Sequence, residues 1–288
     1  MSIARVLIIA GSDSGGGAGI QADIKAVTML GGHAMTAMTA LTAQNSLGVQ
    51  GVMPVPAAFV LAQIDSVVGD LGVDAVKIGM IGSAEVAHAV ADRLESLDVP
   101  IVFDPVMVAT SGSVLADAAT VAAFERLMRM AALVTPNVPE LTALALSVRP
   151  GLGEAPRASS EEQDAALTDS ARTELGRALA DHLGVAVLAK GGDLPGADVV
   201  DILLGPDGSH RVWSDPRIDT PHSHGTGCTL ASAIATGLAQ GMALPDAIAR
   251  GRRFVRAALA HAPGLGAGHG PMGHALGIAP FDVWEARG

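Results

Sequence analysis

A single cysteine, no tyrosine, five phenylalanines and two tryptophans leave this 288-residue chain with little aromatic chemistry and no internal disulfide. The lone thiol points to a reducing compartment, and the scarcity of aromatics means an aliphatic core. Basic residues are also few: 18 Lys and Arg against 29 Asp and Glu give a net charge of −11. That balance argues against nucleic acid as a partner, because phosphate-backbone binding needs clustered cations. It leaves nucleotides open, since they need only a few local donors. No apolar run approaches the ~18 residues of a membrane span, and Val6–Ala10 is too short for a signal segment. The expectation is a soluble cytoplasmic protein with no membrane partner.

What is present is an alternation. Val6–Ala10 is a continuous apolar run ending at a glycine, the pattern of a strand buried on both faces. Further strands are expected at Met35–Thr42, Val73–Gly79, Val99–Asp104, Leu133–Thr135, Val185–Lys190, Val199–Leu204 and His210–Ser214, the last two as an antiparallel hairpin at a sheet edge. Helical stripes lie between most of them. Pro56 opens one with Val60, Ile64, Val67 and Leu71 on one face, and Ser83 caps another with Val86, Val90, Leu94 and Leu97. Asp117–Ala131 and Gln163–Leu183 are two more. Such alternation over the whole length predicts one α/β domain, 1–288, with a mainly parallel sheet between two helical layers. Residues 149–162, rich in Pro, Gly, Ser and Glu, read as a mobile surface loop within that domain.

The chemistry-bearing residues fall at the ends of the expected strands, where open α/β sheets bind ligands. Gly11–Gly19 follows the first strand and matches neither the dinucleotide fingerprint nor the P-loop; Asp23 lies one turn into the next helix. Gln44, in Thr42-Ala43-Gln44-Asn45, offers a donor and an acceptor side by side to a heterocycle, or caps a loop. Met80 sits between Gly79 and Gly82, where a flat ligand could approach the backbone or a turn could pack. Asp104, Asn137 and Glu140 at neighbouring strand ends suit Mg²⁺, which prefers oxygen ligands; N-capping is the alternative, and Asn137 shortly before Pro139 fits it well. Lys190 can meet a phosphate as a point charge or snorkel to solvent.

The segment His224-Gly225-Thr226-Gly227-Cys228-Thr229 precedes a helical stretch, Leu230–Gln240. Its glycines free backbone N–H groups at the positive end of a helix dipole, which favours an anion and a Cys228 thiolate. Downstream, Pro245 starts a helix whose inner stripe is Ile248, Val255 and Leu259, and Arg252 falls on that stripe. A cation on an apolar face needs a partner, and an anion held at the Gly225–Cys228 turn would serve. Together these groups describe phosphoryl transfer. A cysteine hydrolase with His224 as base would leave the acidic strand ends and Lys190 unexplained.

These motifs, in this order and over nearly the whole chain, resemble the hydroxymethylpyrimidine/phosphomethylpyrimidine kinases of thiamine biosynthesis, in the ribokinase-like superfamily. The resemblance implies a three-layer α/β/α sandwich and two ATP-dependent phosphorylations at one site, first of hydroxymethylpyrimidine and then of its monophosphate. It implies that Gln44 binds the aminopyrimidine in a pocket lined by Gly11, Ala18, Asp23 and Met80. Cys228 would stand where sugar-kinase relatives place an aspartate base, with Gly225, Thr226 and Gly227 holding the transferring group and Arg252 beside them. Asp104 and Glu140 would organise Mg²⁺; Lys190, Asn137 and Thr226 would contact ATP; the assembly would be a homodimer. Related members phosphorylate pyridoxal, so a pyridoxal kinase is an alternative, as is a pyrimidine-binding sensor on a degenerate scaffold. The chain departs from the family at Arg252, where lysine is usual, at Pro221-His222-Ser223-His224, and in the length of the 149–162 loop.

Overall fold

In a computed structural model the structure describes residues 3–108, 115–148 and 168–277. The loop expected over 149–162, and the first residues of the helix expected from Gln163, lie outside them.

The chain runs β1 (Ala4–Ala10), α1 (Gly19–Met29), β2 (Gly32–Met38), β3 (Ala40–Asn45), β4 (Gly48–Pro54), α2 (Ala57–Asp70), β5 (Ala75–Ile78), α3 (Ala84–Leu94) and β6 (Ile101–Phe103). It continues with α4 (Ala118–Met130), β7 (Leu133–Val134), α5 (Val138–Val148), α6 (Asp169–Leu183), β8 (Ala186–Ala189), β9 (Asp198–Leu204), β10 (His210–Pro216), α7 (Thr226–Ala239) and α8 (Leu244–Ala260). Eight strands form one sheet in the order β10-β9-β8-β7-β6-β5-β1-β2. From β2 to β8 every pairing is parallel, and β9 and β10 add an antiparallel hairpin at the edge, as expected.

The apolar run of β1 is continuous because both its faces are covered. Val6, Ile8 and Ala10 enter a core shared with α7 and α8, while Leu7 and Ile9 enter the opposite core beneath α2 to α6. The sheet is thus the middle of three layers. Local signals set the helix ends. Ser83 accepts the Val86 amide at 3.2 Å and Asp117 accepts that of Thr120 at 2.8 Å. Pro56 stands at the cap of α2, and Pro245 falls within the first turn of α8. No helix among the described residues is long and apolar enough to cross a membrane.

One expected strand, Met35–Thr42, is two. The chain leaves the sheet at Thr39, whose hydroxyl donates to the Met80 carbonyl at 2.6 Å, and β3 then pairs antiparallel with β4 as a separate two-stranded hairpin. The residues around Thr39 carry no turn signal; the break is held by tertiary bonds, this one and the backbone bonds of Thr39 to Ala10 and Val55 among them.

Candidate active site

Because β1, β5, β6, β7 and β8 run parallel, Gly11, Met80, Asp104, Asn137 and Lys190 all emerge at one edge of the sheet, where they line a cavity of about 830 Å³. At one end are Gly11, Ala18, Gln44 and Met80. A Cβ at Gly11 would collide with the Met80 methyl, so this glycine allows the thioether to lie across the strand end. A register shift between Ala43 and Gln44 re-aims the hairpin. Ser14 fixes the Gln44 backbone, donating to its carbonyl and accepting from its amide, each at 2.8 Å.

In the middle lies the start of α7, at Thr226 rather than Leu230. Its cap, Gly225, takes φ +86°, and a Cβ there would strike the Gly17 carbonyl, so the turn presses directly on the glycine-rich loop. The Thr226 amide reaches the Ser223 carbonyl at a long 3.4 Å and that of Thr229 is taken by Gly225, whereas those of Gly227 and Cys228 have no acceptor outside the helix among the described residues. The half-buried Cys228 lies in the first turn of the helix, and burial pushes its thiol up to about 11, with Asp23 and Asp104 adding to the rise and Lys77 opposing it. Desolvation and the neighbouring carboxylates thus oppose the thiolate expected from the helix dipole.

Asp23 is placed differently from expectation. It is fully buried, absent from the cavity wall, and paired with Lys77 at 2.8 Å. Ser232, one turn after Cys228, donates to its other oxygen at 2.7 Å. Asp23 thus anchors Lys77 from below and does not line a pocket. Lys77 is equally buried, but does reach the cavity; burial works against its charge, and Asp23, Cys228 and Asp104 more than restore it.

At the far end Lys190 donates to Asp104 at 2.8 Å, and Thr135 to the same carboxylate oxygen at 2.9 Å. Asn137 and Glu140 form a reciprocal capping box at the head of α5: the Glu140 amide donates to Asn137 Oδ1 at 2.9 Å, and the Asn137 amide to Glu140 Oε2 at 2.8 Å. Burial pushes the Glu140 carboxyl up to about 7, Lys190 pulling against it and Asp104 adding to it. Among the described residues no three His, Cys, Asp or Glu side chains converge on a metal position. Two carboxylates beside a lysine cannot cage a cation alone, but they suit a Mg²⁺ that keeps its waters and rests mainly on phosphate oxygens.

Arg252 corrects a second expectation. It borders the cavity, but its guanidinium is bonded to Asp201 and Asp215, the latter at 2.6 Å. The cation on the apolar stripe finds its partners in β9 and β10, not in an anion at Gly225–Cys228. Asp201 in turn accepts the Gly191 amide at 2.9 Å, so Arg252 braces the turn that follows Lys190.

Sequence reasoning missed two groups. Lys77 carried a usable signal, a lysine inside an otherwise apolar buried strand. The Asp13–His224 pair carried none: 211 positions separate residues whose side chains meet at 2.9 Å. His224 is bound to Asp13, not aimed at Cys228, which removes the base a cysteine hydrolase would need.

A sheet between two helical layers, with a cavity at its carboxyl edge where a glycine-capped helix start faces a lysine–aspartate pair, is the architecture of a ribokinase-like small-molecule kinase. Solved structures agree. The ADP complex of Bacillus subtilis pyridoxal kinase superposes with a TM-score of 0.81 at 30% identity, covering 96% of this chain and 98% of that one. The phosphomethylpyrimidine kinase of Clostridium difficile gives 0.71 at 32% identity, covering 88% and 98%. Residues 13–273 match the family model for phosphomethylpyrimidine kinase, and the chain belongs to that family. It is 45% identical to the hydroxymethylpyrimidine/phosphomethylpyrimidine kinase of Streptomyces coelicolor over 274 residues, 93% of each chain. It is also 49% identical over 277 residues to the thiamine biosynthesis bifunctional protein ThiED of Geobacter sulfurreducens, 94% of this chain but about half (52%) of that longer protein.

Proposed function

We propose that this chain phosphorylates hydroxymethylpyrimidine with ATP, and then phosphorylates the monophosphate to the diphosphate, for thiamine biosynthesis. One observation carries the reading: a single cavity is lined by Gln44 and Met80, which would read a heterocycle, and by Gly225–Cys228 with Lys190 and Asp104, which would hold phosphates. In each step a substrate oxygen bonds to the γ-phosphorus of ATP, the bond to the β-phosphate oxygen breaks, and ADP leaves. Gln44, Gly11, Ala18 and Met80 would seat the ring. The Gly227 and Cys228 amides, with Gly225 and Thr226 shaping the turn, would bind the developing charge. Lys190 would meet the nucleotide phosphates, with Asn137 and Thr226 beside them. Asp104 and Glu140 would hold Mg²⁺, directly or through water, and the ion would supply charge neutralisation on the phosphates. The Cys228 sulfur would accept the hydrogen bond of the attacking hydroxyl, and act as proton acceptor in its thiolate form.

The test is ADP release with the pyrimidine, its monophosphate and pyridoxal as separate substrates. Turnover of the first two is the expected result; turnover of pyridoxal alone would overturn it. Pyridoxal is the second reading, favoured by the fit to pyridoxal kinases, including one from Staphylococcus aureus solved with AMP-PCP and pyridoxal (TM-score 0.82, 26% identity, 96% of this chain and 95% of that one). We further propose a one-domain cytoplasmic homodimer. Leu41, Val52 and Met53 on the β3–β4 hairpin and Phe59 on α2 expose apolar surface that a second copy would cover.

A further inference from the structure

The buried pair of Asp13 and His224 serves no step above, yet it touches the residue that would read the ring. His224 Nε2 stands 2.9 Å from Asp13 Oδ2 and 3.2 Å from the side-chain amide nitrogen of Gln44. Asp13 also accepts three backbone amides, Gly15 on Oδ1 at 2.9 Å, and Gly17 and Ala18 on Oδ2 at 3.0 and 2.8 Å. Burial opposes its charge, but His224 and these amides hold its carboxyl below the usual range. An ionised Asp13 facing Nε2 requires the proton on that nitrogen.

A protonated Nε2 cannot accept from an amide –NH₂. The two ends of a glutamine amide exchange by a half-turn of the side chain, and the hydrogen-bond network decides between them. The carbonyl end of Gln44 therefore belongs against His224, where the one Nε2 proton, directed to Asp13, is shared with Oε1 in a three-centre bond; the other Oε1 lone pair, next to the –NH₂, is free for a ligand. The order in which acceptor and donor face the cavity is then fixed. We propose that His224, locked by Asp13, is a specificity-determining positioning residue that sets the Gln44 amide to read an amino group beside a ring-nitrogen acceptor, and to reject the transposed edge of an oxo group beside a ring N–H. The inference rests on the reading of Gln44 as the pyrimidine-binding residue.

The experiment compares kcat/KM for the 4-aminopyrimidine substrate and its 4-oxo analogue in the wild type and in Gln44→Ala, His224→Leu and Asp13→Asn. The wild type should prefer the amino compound. His224→Leu and Asp13→Asn should each lower that preference by about tenfold, the worth of one correctly ordered hydrogen bond. An unchanged ratio in both, with a collapsed ratio in Gln44→Ala, would overturn the role of His224 while sparing that of Gln44. An unchanged ratio in Gln44→Ala would instead sink the reading beneath it, and the inference with it. Should neither His224→Leu nor Asp13→Asn fold, ¹⁵N-histidine NMR of the wild-type protein decides: a proton on His224 Nε2 supports the proposal, and an Nδ1–H tautomer contradicts it.

Discussion

Cys228 shows how two elementary effects compete at one atom. A helix start favours its anion; burial, Asp23 and Asp104 disfavour it and push the thiol up to about 11. Below that value the thiolate fraction rises tenfold per pH unit, so turnover limited by proton transfer to Cys228 should climb with a log–log slope near one between about pH 8 and 10. The slope should vanish in Cys228→Ala, which should also lose about 10²-fold in kcat with less change in pyrimidine KM. A flat wild-type profile would leave the sulfur only a hydrogen-bond acceptor. Gln44→Ala should do the reverse and raise pyrimidine KM about tenfold, as measured by steady-state kinetics. The positions of Met80, Asp104 and Lys190 were legible because each follows an apolar strand in the sequence, whereas Gln44, expected at a strand end, lies within β3 of the separate hairpin. Their partners were not. Nothing in the local pattern says that Asp23 turns inward to Lys77, or that Arg252 faces Asp201 and Asp215, since those meetings depend on how distant elements pack.

At the scale of elements, periodicity served well where helices have one buried stripe and failed where a tertiary contact cut a strand, as at Thr39. The start of α7 was placed four residues late because glycines weigh against helix, although Gly225 as an αL cap is what lets the helix begin at Thr226. Gly225→Ala should cost about 1–2 kcal/mol from backbone strain alone. The added methyl must also push Gly17 away, so activity should fall further than thermal denaturation alone explains. The Lys77–Asp23 pair ties β5 to α1 beneath α7. Lys77→Met leaves a carboxylate buried without its cation and should destabilise the fold by about 3–5 kcal/mol in urea titration. Adding Asp23→Asn should recover part of that loss, and independent additive costs would show that the two charges do not act as a pair.

For the molecule as a whole, the alternation of strands and helices was enough to give three layers and a ligand edge, because a parallel sheet needs helical crossovers and brings its strand ends together. Composition could not show the β3–β4 hairpin standing outside that sheet. If this hairpin is a dimer surface, Met53→Asp should convert a dimer to monomers in sedimentation equilibrium; a monomeric wild type would refute the assignment.

The two ends of the cavity are built from unequal material. Residues Thr229 to Gly237 of α7 are buried without a break, so the helix behind the Gly225–Cys228 turn is welded into the interior. Gln44 hangs on a two-stranded hairpin whose outer positions face solvent. Under the proposed function, substitution is therefore costly where the bond would be made and cheap where the ring would be chosen. On that reading, a lineage built on this plan would be free to change its ring specificity while keeping its phosphate chemistry.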